Sequence, residues 1–118
     1  MAISFKIIFY ETSDGKIPAR EFIDSQDSKM TAKIDRDIEM LKNWGNTLRM
    51  PHSEHLKDGI FQLRTQLGNN ISRVLYFFYD GQDIIITNGF IKKTQATPPN
   101  EIEKAKKYRN DYLERRRK

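Results

Sequence analysis

Ile60-Phe61-Gln62-Leu63-Arg64-Thr65-Gln66 runs into Leu67-Gly68-Asn69-Asn70, and Ile71-Ser72-Arg73-Val74-Leu75-Tyr76-Phe77-Phe78-Tyr79 into Asp80-Gly81-Gln82-Asp83, ahead of a third apolar run from Ile84 to Ile91. Three β-branched and aromatic runs split by Gly, Asn and Asp predict three strands and two tight turns, an antiparallel meander. Alternation in the first run turns Phe61 and Leu63 toward the core and leaves Gln62 and Arg64 on the opposite face. The second run is apolar almost throughout, as a strand covered on both faces would be. Its single charge, Arg73, stands near its start, where burial is costly without an anion.

Working outward, Ile3 to Tyr10 alternates and then becomes continuously apolar, which predicts a first strand. Ser13-Asp14-Gly15-Lys16 supplies a turn, and Pro18 opens a short helix carrying Phe22 and Ile23 that ends near Ser25-Gln26. From Ser28, Met30, Ile34, Ile38, Leu41 and Trp44 recur at helical spacing and predict one buried stripe, with Gly45 as its stop. These two helices form an αα-hairpin. Met50 to Asp58, with Pro51, two histidines and Asp58-Gly59, reads as an exposed connection. Downstream, Thr97 is placed to cap a helix that begins at Pro98-Pro99 and shows Ile102, Ala105, Tyr108 and Tyr112 on one face. The order β-α-α-β-β-β-α predicts an α+β layer fold over a single domain, residues 1–118: the helical hairpin covers one face of the sheet, and the other face is left for function.

A chain of 118 residues with 37% hydrophobic and 31% charged residues has enough apolar material for one small core. No apolar run approaches the roughly 20 residues that span a bilayer, and the first residues do not resemble a secretory leader. No membrane role is expected, and zero cysteines fit a cytoplasmic setting while excluding thiol chemistry. The net charge of +5 divides unevenly: residues 1–50 sum to 0, residues 51–91 to −1 and residues 92–118 to +6. A concentrated positive field suits a polyanion such as nucleic acid, or an acidic partner, and equally a solubilising tail.

Arg64, Arg73 and one of Lys92 and Lys93, which follow the third strand of the meander, belong to neighbouring strands and are candidates for one cationic patch; the competing reading is separate surface charges paired with carboxylates. His52 and His55 flank Glu54, but no further His or Cys completes a typical zinc site, so no metal and no cofactor is expected. No Gly-rich phosphate loop is present. Tyr108 and Tyr112, interleaved with Lys104, Lys106, Lys107 and Arg109, suit either base stacking or, more simply, packing of the last helix. Tyr79 stays open between the same two roles.

Four blocks in order carry a family resemblance: His55-Leu56-Lys57-Asp58-Gly59-Ile60-Phe61-Gln62-Leu63-Arg64; Ser72-Arg73-Val74-Leu75-Tyr76-Phe77; Asn88-Gly89-Phe90-Ile91-Lys92-Lys93-Thr94-Gln95; and Thr97-Pro98-Pro99 with Ile102 and Ala105. Together they resemble the phage-derived HigB branch of the RelE/ParE toxin superfamily. The resemblance implies a type II toxin, a ribosome-dependent endoribonuclease that cuts mRNA and is neutralised by a HigA-type helix-turn-helix antitoxin. It implies a scissile-phosphate contact for Arg73, a basic active-site position for Arg64 with Gln62 beside it, and a catalytic basic pair in Lys92 and Lys93. Lys57, Lys104, Lys107 and Arg109 are further candidates for holding RNA. No tyrosine follows Lys93 where RelE itself has one, so stacking by that residue is not carried over.

Such cleavage would use the RNA's own 2′-OH. Guanidinium groups neutralise the transition state, and a lysine crowded by cations, or else His55, moves protons. Two other functions fit the same pattern: a ParE-like inhibitor of DNA gyrase, with the same fold, and a non-catalytic RNA-binding module using the basic last helix.

Overall fold

The computed structural model describes residues 5–91 and 97–117. Its elements are β1 (Lys6–Phe9), α1 (Pro18–Asp24), α2 (Ser28–Trp44), a short 3-10 turn (Gly45–Thr47), β2 (Ser53–Lys57), β3 (Ile60–Leu67), β4 (Asn70–Tyr79), β5 (Asp83–Ile91) and α3 (Pro99–Arg116). The α+β reading holds: a five-stranded sheet in the order β1-β5-β4-β3-β2, antiparallel except for the parallel β1/β5 pair, carries the helical hairpin on one face. No described helix is long and apolar enough to cross a membrane.

Local chemistry sets the helix ends. The Asp27 carboxylate accepts the Met30 backbone N–H at 2.8 Å and caps α2. Gly45 ends it at φ 53, and a Cβ there would lie 2.0 Å from the Phe5 ring, so the stop is also a close approach. Met30, Ile34, Ile38 and Leu41 of α2 and Ala19 and Ile23 of α1 bury against Leu63, Val74, Tyr76, Ile84 and Ile86. Trp44 departs from the expected stripe. It lies at the last turn of α2, beyond the sheet, and is 61% exposed.

The structure corrects the sequence reading in two further places. The segment expected as an exposed connection contains β2, an edge strand of Ser53-Glu54-His55-Leu56-Lys57 paired with β3 through a two-residue Asp58-Gly59 turn at φ 52 and 83. Its polar sequence hides it, because backbone pairing and the buried Ser53 hydroxyl, 2.5 Å from the Tyr76 hydroxyl, hold it without an apolar stripe. The second correction concerns the face expected to be free, which is covered over much of its area by α3. Ala105 and Tyr112 bury against Ile60, Leu75, Phe77 and Ile85, Tyr108 stacks on Tyr10 at 4.7 Å, and Tyr79 meets Tyr112 edge-on at 5.5 Å. The α3 tyrosines are therefore packing residues.

Candidate active site

Strand register builds the site. Arg64 pairs with Arg73, and Arg73 with Phe90, in one row across β3, β4 and β5. Gln62 and Leu75 form the next row on the same face, and Leu75 lies beneath α3, so the arginine row shares the α3 face. A bulge between Leu75 and Tyr76 leaves Thr87 as the extra residue of β5 and turns Asn88 to that face too. Asn88 donates to the Glu101 carboxylate at 3.2 Å, and the Thr97 hydroxyl donates to Gln62 Oε1 at 2.6 Å. These two bonds seat the start of α3 over the Gln62 row, one row short of the arginines. Thr97 is thus used against β3; the residue capping α3 is Pro98, with no side-chain bond.

Arg73 is 0% exposed, and among the described residues its Nε, Nη1 and Nη2 atoms have no hydrogen-bond partner. It is the largest fully buried side chain among the described residues, deep within β4 and away from the strand's exposed start. Burial lowers the pKa of its guanidinium below the ordinary value, and the positive Arg64 nearby lowers it further; the Glu54 carboxylate opposes both. Five N–H donors aimed at no acceptor form a site that favours an incoming anion. Arg64 is half-buried, its backbone N–H donates to the His52 carbonyl at 2.8 Å, and its side chain lines a groove with His52.

Gln62 is buried and both ends of its amide are engaged: its Nε2 donates to Glu54 Oε1 at 2.9 Å while its Oε1 accepts the Thr97 hydroxyl. Glu54, directly opposite Gln62 in the ladder, is a further candidate that the sequence reading weighed only beside His52 and His55, because it lies on the strand that reading missed. The other candidates do not join the row. His55 Nε2 accepts the Gly59 N–H at 3.0 Å, which ties it to its own turn. Lys57 is exposed at the end of β2. Lys104 pairs with Glu101 at 3.7 Å, Lys106 with Asp58 at 3.0 Å, and Arg109 donates to the Asp58 carbonyl; Lys107 is exposed. Asp58 lies in the β2–β3 turn, and Ile60, which follows it, is already about 13 Å along β3 from Arg64 at the usual strand rise. Lys92 and Lys93 lie outside the described residues.

Fold and site together define a small α+β domain with a buried arginine on the α3 face of its sheet, an arrangement that suits anion recognition. A family model described as Phage derived protein Gp49-like (DUF891) matches residues 21–110. The chain belongs to this Gp49-like family, which is of the RelE/ParE toxin type. No curated protein is similar enough to count as a match.

Proposed function

We propose that the protein is the toxin of a toxin–antitoxin pair and that it cuts mRNA on the ribosome as a metal-independent endoribonuclease. The observation that carries this reading is Arg73, a buried guanidinium with every donor unused, paired in register with Arg64. Once the cover over Arg73 is displaced, a scissile phosphate would satisfy it bidentately and receive a second positive charge from Arg64, at the point where negative charge grows in the transition state. The RNA 2′-oxygen attacks the adjacent phosphorus and loses its proton to a base; the P–O5′ bond breaks and the 5′-oxygen gains a proton. The products are a 2′,3′-cyclic phosphate and a 5′-hydroxyl. Lys92 and Lys93 are the proposed proton carriers, with Glu54 of β2 and His52 just before it as the alternatives among the described residues. A HigA-type helix-turn-helix antitoxin is the proposed neutralising partner.

Neither arginine reads sequence or distinguishes a free transcript from a translated one, so the ribosome is proposed to present the strand. The test is mapping of mRNA 5′ ends after the protein is added to translating ribosomes and to the same mRNA alone. Cuts confined to ribosomes, and lost with Arg73→Ala, are expected. Equal cutting in both samples would remove the ribosome from the mechanism. Gyrase-dependent DNA breaks would support the inhibitor reading, and RNA retention without scission the binding-module reading.

A further inference from the structure

The net charge of the segments misplaces the cations available to a ligand. Those of α3 are largely engaged with the protein itself, Arg115 among them, held at 2.6 Å by Asp111, and Arg117 just beyond the helix pairs with Glu114. On α2 the position is reversed. Met30, Ile34, Ile38 and Leu41 mark its inner face. At 100° per residue, Lys29, Lys33 and Arg36 fall together on one shoulder, whereas Asp35 and Glu39 fall on the other, where Asp35 holds Arg20 at 3.2 Å. No described carboxylate pairs with Lys29, Lys33 or Arg36 within 4.0 Å.

This cationic shoulder runs beside the outer edge of β3. Lys33 Nζ donates to the Gln66 carbonyl, and Asp37, on the same side, accepts the Thr65 hydroxyl at 2.7 Å. Pairing with β2 begins at Ser53 opposite Leu63, so the next residues of β3 have no strand neighbour on that edge among the described residues. A groove opens there, lined by Arg64, His52, Gln66, Ile71, Asp37 and Lys33. A second depression, lined by Lys29, Lys33, Arg36, Ala32 and Leu67, continues it through the shared Lys33. The two depressions meet at Lys33, so a lined surface leads from Arg64, next to the buried Arg73, to Lys29 and Arg36. Its apolar lining is limited to Ile71, Leu67, Ala32 and the ring of Pro51, with no aromatic pocket to anchor a protein partner.

From this continuity we infer that the channel between α2 and the β3 edge is a backbone track for single-stranded RNA, in which Lys29, Lys33 and Arg36 hold phosphates flanking the one at Arg64 and Arg73. The inference rests on the reading of that pair as the phosphate clamp. It names three binding residues in the part of the chain whose net charge is 0, far in sequence from the basic C-terminal segment.

The test is equilibrium binding of a fluorescent 2′-O-methyl oligoribonucleotide, which cannot be cut, across a salt series. For single-stranded RNA each phosphate contact contributes a slope of about 0.7 in log affinity against log salt, so losing three contacts should cost about 100-fold at ~0.1 M salt and flatten the slope by about 2. The triple variant Lys29→Gln, Lys33→Gln, Arg36→Gln is expected to show both changes with an unaltered circular dichroism spectrum. The control triple Lys6→Gln, Lys16→Gln, Lys42→Gln removes the same charge elsewhere and should change affinity far less. Equal losses in the two triples, wild-type affinity in the α2 triple, or no salt-dependent binding by the wild type would each overturn the track. So would loss of ribosome association with oligonucleotide affinity retained, since the channel would then hold ribosomal RNA in place of the substrate strand. Cleavage on ribosomes by wild type and by Arg73→Ala is read in parallel. Wild-type cutting alongside an unaffected α2 triple defeats the track alone, and RNA binding without cutting defeats the nuclease reading alone.

Discussion

Replacing Arg73 by Met should make the protein more stable and inactive at once. The residue is 0% exposed and none of its three guanidinium nitrogens has a partner among the described residues, so they leave a desolvated cation with no compensating bond. Exchanging buried charged groups for apolar side chains of similar volume is often neutral or stabilising by about 1–4 kcal/mol, and Met has the flexibility to fill the slot left by the arginine stem. Taking about 2 kcal/mol as the middle of that range, and about 2.1 cal/mol/K per residue of unfolding entropy over this chain, Tm should rise by roughly 8 °C. Scanning calorimetry of wild type and variant measures this directly, with cleavage on translating ribosomes measured on the same preparations. Arg73→Ala separates charge from volume: it removes the same cation but leaves a cavity, so it should gain less or lose stability. The Arg73→Lys protein should stay impaired in cutting, because a point charge does not reproduce bidentate geometry. A fall in Tm for Arg73→Met of the size seen for an ordinary core truncation would refute the argument, since it would mean that the guanidinium is well satisfied in the folded protein.

Three other outcomes follow from contacts near the site. Gly89 neighbours Phe90 in β5, and a Cβ on it would meet the Phe22 ring at 2.5 Å and the Arg73 carbonyl at 3.2 Å, so Gly89→Ala should cost about 1–3 kcal/mol in a denaturant titration. Gln62→Leu strips the Glu54 carboxylate and the Thr97 hydroxyl of their shared partner, and is expected to lower stability by about 1–2 kcal/mol and to loosen the start of α3, read as faster amide exchange in its first turn. Desolvation pushes the Tyr76 hydroxyl up to about 12 from the ordinary 10.0 while its bond to Ser53 opposes the rise, and the phenol is neutral below both values. Its preference for the neutral form is fully present below about 10 and is lost as pH rises toward about 12, a loss of roughly 3 kcal/mol. Tyr76→Phe should therefore flatten alkaline destabilisation across that window, measured as urea midpoints at successive pH values, and an unchanged slope would count against burial of that hydroxyl.

What the sequence disclosed and what it concealed divide along a physical line. The meander was legible because period-two alternation and Gly/Asn/Asp turns are local signals, and α2 because its apolar spacing, Asp27 cap and Gly45 stop agree. The same parity that set Gln62 and Arg64 on one face brought Arg64 and Arg73 into one row, so the proximity of the two arginines was readable. β2 was concealed because nothing in Ser53-Glu54-His55 is patterned; its existence depends on the edge that β3 offers. The cover provided by α3 could have been anticipated. An apolar residue at nearly every position of β4 requires two covered faces, and the last helix was the remaining element able to supply the second.

Charge was the least legible quantity, because a count does not record partners. Residues 92–118 sum to +6, yet within α3 Lys104 and Lys106 bind carboxylates and Arg109 is held by the Asp58 carbonyl. Residues 1–50 sum to 0, yet α2 sorts its charges by helical angle, so Lys29, Lys33 and Arg36 face the channel while Asp35 and Glu39 face away. The seat of α3 links this pattern to the site. Thr97 on Gln62 and Glu101 on Asn88 stop the helix one row before Arg73, so its carboxylates never reach the buried guanidinium. Had α3 begun one row further along the sheet, an acidic side chain of its first turn would have been placed to pair with Arg73, and the fold would have spent on itself the cation that the proposed chemistry needs free.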